Sequence, residues 1–335
     1  MSGRIEAIDL LRGIAVALVL LRHAFPEPFA GAGVVGIVMF FTLSGYLITG
    51  VLLGELERTG RVDLGRFYRR RARRLVPALV ALVAGVVLVT LLLDPLGDRD
   101  ELPKTVAVAL TWTGNLPFGH ASDATFHLWT LATEEQFYLF WPAVLALGFA
   151  RRRVGVTLLV VAGVCALACV STVVWLAEEP DLAYSLPTSW AICFVVGAAA
   201  RVLQERVVVP VWAVPVALVA LAVLSVVPLR GHALTYLAGG PAIAALTAVL
   251  LLAWRTWTEV RPPALRALVA LGTVSYGAYL WNYPLTVWLR PHVEHGAGAL
   301  ALVLTLGLAA LSWHLVERPL QPRALQPRAH SRVPA

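Results

Sequence analysis

A chain of 335 residues that is 59% hydrophobic and only 14% charged is unlike a soluble enzyme, in which about a quarter of residues carry charge. Its mean hydropathy of +0.77 and repeated long apolar runs indicate a polytopic helical membrane protein. The runs are continuous rather than alternating, which argues against a β-barrel. The net charge of +7 is carried by arginines and by Lys104, the single lysine; membrane topology explains it better than nucleic acid does.

In chain order the hydropathy pattern predicts ten spans, over residues 9–25, 33–53, 75–94, 131–150, 154–176, 186–204, 211–228, 233–254, 267–289 and 297–316. The expected fold is an all-α integral bundle of about ten transmembrane helices filling residues 1–320. A Pro-rich tail follows at 321–335, with a tandem LQPRA repeat, read as a disordered, basic cytoplasmic segment. The first apolar run is interrupted by charge and lacks a small-residue cleavage site, so it does not read as a signal peptide. The stretch 104–119, "KTVAVALTWTGNLPFG", is short and ends in Gly, Asn and Pro, and is expected to span or to be re-entrant. Cytoplasmic loops collect Lys and Arg. With both termini inside and 104–119 not crossing, only Arg99, Lys104, Arg230 and Arg290 fall in outer segments. If 104–119 crossed, every later loop would flip and the bias would vanish.

The first span, "LLRGIAVALVLLRHAF" at 10–25, carries costly ionisable groups. Arg12 and His23 are eleven residues apart, within about 20° of three full turns, so they share a helix face about 16 Å apart along the axis. Such groups usually face a bundle interior or a water-filled cavity; a structural ion pair and an interfacial histidine are the plainer alternatives. In the expected topology Arg12 lies towards the cytosol and His23 towards the outer surface. In "FFTLSGYLITG", 40–50, Ser44 has no nucleophile elbow around it, and small residues for close helix approach are the preferred reading.

"GRFYRRRARRLVP", 65–77, crowds arginines at the cytoplasmic end of the third span, where they anchor to lipid headgroups or form a socket for phosphates. "FHLWTLATEEQFYLFWP", 126–142, brings adjacent Glu134 and Glu135 into an aromatic span, expected on the outer side with His23. Cys165, Cys169 and Cys193 lie in apolar segments without metal-ligand spacing. "SYGAYLWNYPLTVWL", 275–289, offers Tyr276, Tyr279, Trp281, Asn282 and Tyr283 as a platform for a sugar ring or acyl group, or as an interfacial aromatic belt. No P-loop, dinucleotide fingerprint, zinc spacing or groove-reading helix is found, so no metal site and no nucleic-acid partner are expected.

Taken in order, "IDLLRGIAVALVLLRH", "FFTLSGYLIT", "FYRRRARRLVP", "WTLATEEQFYLFWP", "SYGAYLWNYP" and "VERPL" resemble the membrane-bound acyltransferase family 3, bacterial O-acyltransferases of about ten spans. The resemblance implies an enzyme with no permanently bound cofactor. Its donor would be cytosolic acetyl-CoA or another acyl-CoA, and its acceptor a hydroxyl on a sugar-containing molecule: a surface polysaccharide, a glycolipid or a glycosylated small molecule. It implies Arg12, Arg69, Arg70, Arg73 and Arg74 as donor-binding residues. His23 becomes the general base, oriented or stabilised by Glu134 or Glu135, and Trp129, Tyr279, Trp281 and Asn282 become acceptor-binding residues. Many relatives carry histidine where this chain has Asn282, which implies a different acceptor or a hydrogen-bonding substitute. An acetyl-histidine intermediate remains an alternative to direct transfer. From a different class, a transporter or flippase of an anionic or glycolipid substrate would use the same charged path without covalent chemistry.

Overall fold

The structure is a computed structural model that describes residues 5–116 and 121–320; the tail at 321–335 and the end of the 104–119 stretch lie outside the described residues. Every regular element among the described residues is helical. The helices are α1 (Glu6–Ala24), α2 (Ala32–Thr59), α3 (Leu64–Leu92), α4 (Leu102–Thr111), α5 (Trp129–Ala150), α6 (Val154–Trp175), α7 (Pro187–Leu203), α8 (Ala213–Val226), α9 (Gly240–Trp254), α10 (Pro263–Thr273), α11 (Ser275–Leu289) and α12 (Ala297–Ser312), with short 3₁₀ and π turns at several ends and α13 (Arg318–Leu320).

Each expected span has its helix, with one difference. The run predicted over 267–289 is two helices, α10 and α11, broken at Val274, which leaves the helical backbone with φ −99° and ψ 11°. Of the stretch at 104–119, residues 104–111 lie in the short α4, which is closed by Trp112 in the left-handed region at φ 52°. Ten residues rise only about 15 Å, half of a hydrocarbon core, so α4 cannot cross it alone. Thr105 Oγ1 accepts from the Ser122 amide, and buried Asn115 bonds Thr133 and Gln136 on α5. α4 and the turn after it are therefore tied to Ser122 and to α5.

Among the described residues five helices are long and apolar enough to cross a membrane: Ala32–Thr59, Leu64–Leu92, Val154–Trp175, Thr235–Trp254 and Ala297–Leu320, the last two counted with their π turns. On α6, Leu159 and Val174 are 74% and 71% exposed, as lipid-facing side chains are. α1 is absent from that set because Glu6, Asp9, Arg12 and Arg22 interrupt it. It instead occupies the centre of the bundle, packed by α2, α9, α10, α11 and α12. Glycines permit the closest crossings. A side chain at Gly13 or Gly272 would run into the backbone of the other helix, at Leu268 and Asp9 respectively, and Gly45 is pressed on the Phe194 carbonyl of α7. At one end, α2 stops at Gly60 (φ 72°), and α3 starts where the Asp63 side chain accepts from the Arg66 amide. This tight hairpin brings the arginine-rich segment back against the bundle.

Candidate active site

Arg12 and His23 of α1 sit in separate polar neighbourhoods, towards opposite ends of the helix. At its last turn, His23 Nδ1 is 2.6 Å from Asn282 Oδ1. The Asn282 amide Nδ2 donates to Thr305 Oγ1 at 3.2 Å, and Thr305 donates to the Ala301 carbonyl at 2.6 Å. Thr305 has given its proton to that carbonyl, so it can only accept from Asn282. This turns the amide oxygen towards the imidazole and makes Nδ1 the protonated nitrogen. Nε2 is left with a free lone pair, and among the described residues it has no hydrogen-bond partner. The ring is half-buried and lies edge-on to Tyr283, centroids 5.2 Å apart. Tyr283 in turn stacks on His127 at 5.2 Å. His127 is buried and fixed by its Nε2–H on the Leu280 carbonyl at 3.0 Å, while its Nδ1 has no partner.

Near the other end of α1, Arg12 donates to Ser275 Oγ at 2.9 Å where α11 begins. Asp9, Arg74, Glu134 and Tyr138 share its electrostatic surroundings. Glu134 Oε1 accepts from Ser44 Oγ at 2.7 Å and from the Tyr138 hydroxyl at 2.6 Å. Glu135 is held by Arg71 at 2.5 Å, and the Arg71 guanidinium lies 3.4 Å over the Tyr138 ring. Glu317, 7% exposed, accepts from Ser312 at 3.0 Å and faces the charges of Arg12 and Arg74. Cations and carboxylates here come together from α1, α3, α5 and the turn after α12, an arrangement in which neighbouring opposite charges offset part of each group's desolvation.

The expected residues divide accordingly. Arg12 and His23 both face protein interior along α1. Glu134 and Glu135 meet the arginines and not His23, whose imidazole is oriented by Asn282. Of the basic motif, Arg69, Arg70, Arg73 and Arg74 are exposed while Arg71 turns inward. Arg71 lies on the stripe Phe67, Arg71, Ala78, Leu82, whose apolar members are buried; Arg74 falls on the same stripe and stays exposed, so it is the ion pair to Glu135, and not helical period, that sets Arg71 apart. Trp129 is packed among Phe41, Tyr184 and Trp190 in the aromatic core. Trp281 fills the space over Gly85 of α3. Tyr279 donates to the His127 carbonyl at 2.8 Å and so accepts from the Thr130 hydroxyl, 2.5 Å away, bracing the segment that carries His127. Besides Arg71, the sequence alone did not mark Glu317, which lies in the VERPL stretch quoted only for the resemblance, or His127, which lies in the stretch quoted for Glu134 and Glu135. Among the described residues no group of His, Cys, Asp and Glu could hold a metal ion.

A family model described as an acyltransferase domain matches residues 5–316. The chain belongs to this acyltransferase family. It is similar to the O-acetyltransferase OatA of Staphylococcus aureus (strain NCTC 8325 / PS 47), at 26% identity over 96% of this chain and 58% of the relative. It is also similar to the putative peptidoglycan O-acetyltransferase YrhL of Bacillus subtilis (29%, over 96% and 56%) and to the peptidoglycan O-acetyltransferase OatA of Listeria monocytogenes (28%, over 95% and 56%). The chain thus spans somewhat more than half the length of these relatives. No solved structure matches it. The acyltransferase match covers the residues of both polar neighbourhoods of α1 from Asp9 to Thr305 and ends one residue before Glu317.

Proposed function

We propose that this chain is a membrane O-acyltransferase. It moves an acetyl group from cytosolic acetyl-CoA to a hydroxyl of a sugar-containing acceptor at the opposite surface, with ten membrane crossings in residues 1–320 and both termini in the cytosol. The observation that carries the reading is the His23–Asn282–Thr305 chain of hydrogen bonds, which presents an unprotonated Nε2 from a half-buried imidazole at the end of a charged central helix. Imidazole is the side chain best matched to proton transfer near neutral pH.

In this reading the phosphates of CoA lie on Arg69, Arg70, Arg73 and Arg74, and the uncharged pantetheine arm runs past Arg12. The thioester then reaches His23 over about 16 Å, the rise between the two residues. Nε2 takes the proton as the acceptor oxygen attacks the thioester carbonyl. The tetrahedral adduct collapses, the C–S bond breaks, and the CoA thiolate recovers the proton from the imidazolium. Asn282 holds Nδ1–H through both steps, the part a carboxylate plays in a triad, without adding charge. Arg71, Glu135, Glu134 and Tyr138 keep the donor passage in shape.

The test is made on purified full chain in lipid nanodiscs with acetyl-CoA and a peptidoglycan glycan fragment. Thiol release coupled to a 42 Da gain on the glycan is expected (about 42 being the mass of C₂H₂O), with loss of both in His23→Ala. Uptake or flipping of an anionic or glycolipid substrate without thioester consumption would replace this reading by the transport one. A retained acetyl group on His23, seen by peptide mass spectrometry in the absence of acceptor, would replace direct transfer by a two-step route.

A further inference from the structure

The histidine end of α1 carries more positive charge than membrane topology asks of it. Outer loops are poor in Lys and Arg, and in the proposed orientation they hold only Arg99, Lys104, Arg230 and Arg290. Two of these, from different loops, converge beside Arg22 of α1. Arg290, at the end of α11, donates to the His23 carbonyl at 2.8 Å. Arg22 donates to the Pro26 carbonyl at 2.8 Å and lies within the fields of Arg290 and Arg230. Arg230 reaches in from the loop after α8, over the Tyr184 ring at 4.7 Å and the Phe126 ring at 5.8 Å. Both Arg22 and Arg290 act on His23 itself, and Arg230 and Arg290 act on Tyr283 beside it.

The carboxylates recorded against this cluster are Asp181, paired to Arg230 at 2.8 and 2.9 Å, and Asp123, near Tyr283. Arg22 and Arg290 spend one donor each on a backbone carbonyl, leaving the rest of their forks for a ligand. Capping the end of α1 would use one cation; here two guanidiniums with open donors, Arg22 and Arg290, lie beside a third, Arg230, that Asp181 already holds, next to the rings of Phe126, Tyr184 and Tyr283.

We propose that the mouth formed by Arg22, Arg230 and Arg290 selects an acidic acceptor, a sugar bearing a carboxylate or phosphate, and places its hydroxyl at His23. This rests on the acyl-transfer reading and narrows its substrate class. Phospholipid headgroups offer the same anionic chemistry, and so does CoA, and the experiment separates all three.

Full-length protein is placed in phosphatidylcholine nanodiscs, and equilibrium binding is measured for two probes: a glycan fragment containing N-acetylmuramic acid, and the same fragment with its carboxylate reduced to an alcohol. The acidic probe is expected to bind roughly tenfold tighter at low salt, one carboxylate–guanidinium contact's worth, with the preference shrinking as salt rises. Arg290→Gln and, independently, Arg22→Gln should each reduce the preference several-fold, while His23→Ala keeps it. Equal binding of the two probes, or an undiminished preference in both arginine variants, overturns the proposal. So does loss of CoA binding in those variants, or disappearance of the preference when phosphatidylglycerol is added to the disc. Thioester consumption is read separately: a charge preference without turnover defeats the acyl-transfer reading and leaves the anion site standing.

Discussion

The two ends of α1 solve the problem of polar groups in an apolar bundle differently. Around Arg12 the charges are matched. Arg71 meets Glu135 at 2.5 Å, Glu134 takes two hydroxyl donors, and Glu317 faces Arg12 and Arg74. Around His23 the hydrogen bonds run one way, from imidazole to Asn282 to Thr305 to a carbonyl, and stop at an Nε2 with no partner among the described residues. A matched network resists change and does little chemistry; an unfilled valence on a braced ring is a place for a proton to go. The comparison teaches that burial of titratable groups marks two separable tasks here, holding the bundle together and moving a proton.

Substitutions at the two ends should therefore fail differently. The largest effect is expected at His23→Ala, where transfer falls by roughly 10²–10⁴, the usual contribution of a general base, while the thermal unfolding midpoint of the purified protein stays within a degree or two. Arg71→Gln should do the reverse. It strands Glu135, and it should cost about 2 kcal/mol, less than the 3–5 of a fully buried pair because the two side chains keep 18% and 20% exposure. The double variant Arg71→Gln/Glu135→Gln should regain most of that loss in a denaturation series. If His23→Ala destabilises as Arg71→Gln does, the division between the two ends is wrong. Asn282→Ala comes next. It removes one hydrogen bond that fixes the tautomer, worth about 1 kcal/mol or roughly fivefold in kcat, with the acetyl-CoA KM unchanged.

Much of this was legible before any coordinates. The eleven-residue spacing of Arg12 and His23 places them on one helix face by arithmetic, and burial of both follows from the cost of charge in lipid. The apolar runs mark the helices, because a helix is the only open-chain way to satisfy backbone in a membrane. What was not legible depends on which helices touch. Asn282 is 259 residues from His23, and nothing local says that α11 lies against α1. Glu134 and Glu135 were expected beside His23 because α5 starts on that side. The 3₁₀ turn at Asp123–Leu128 carries the chain onto α11 before α5 begins, and the carboxylates emerge among the arginines instead. Arg71 shares its register with Phe67 and Ala78 with Arg74, so neither a count of charges nor a helical wheel separates the two; the partner that does, Glu135, lies 64 residues away on α5. The break at Val274 carries no Pro or Gly of its own, only Gly272 two residues earlier, whose role is the close crossing with α1.

The smallest expected effect also tests the comparison most finely. Ser44 sits mid-helix with a hydroxyl that could be taken for a nucleophile, yet its Oγ is engaged as a donor to Glu134, and Gly45 beside it is pressed against α7. A serine whose proton is held by a carboxylate would be an activated nucleophile if an acyl donor reached it. In the matched network it is one of two donors to Glu134, the Tyr138 hydroxyl being the other. Ser44→Ala leaves Glu134 with Tyr138, so the cost should be about 1 kcal/mol of stability and at most a few-fold in turnover. Measured alongside His23→Ala on the same thiol-release assay, a collapse of transfer in Ser44→Ala would move the chemistry to the arginine end of α1. A small loss that tracks stability would keep that end a scaffold, with the reacting proton at His23.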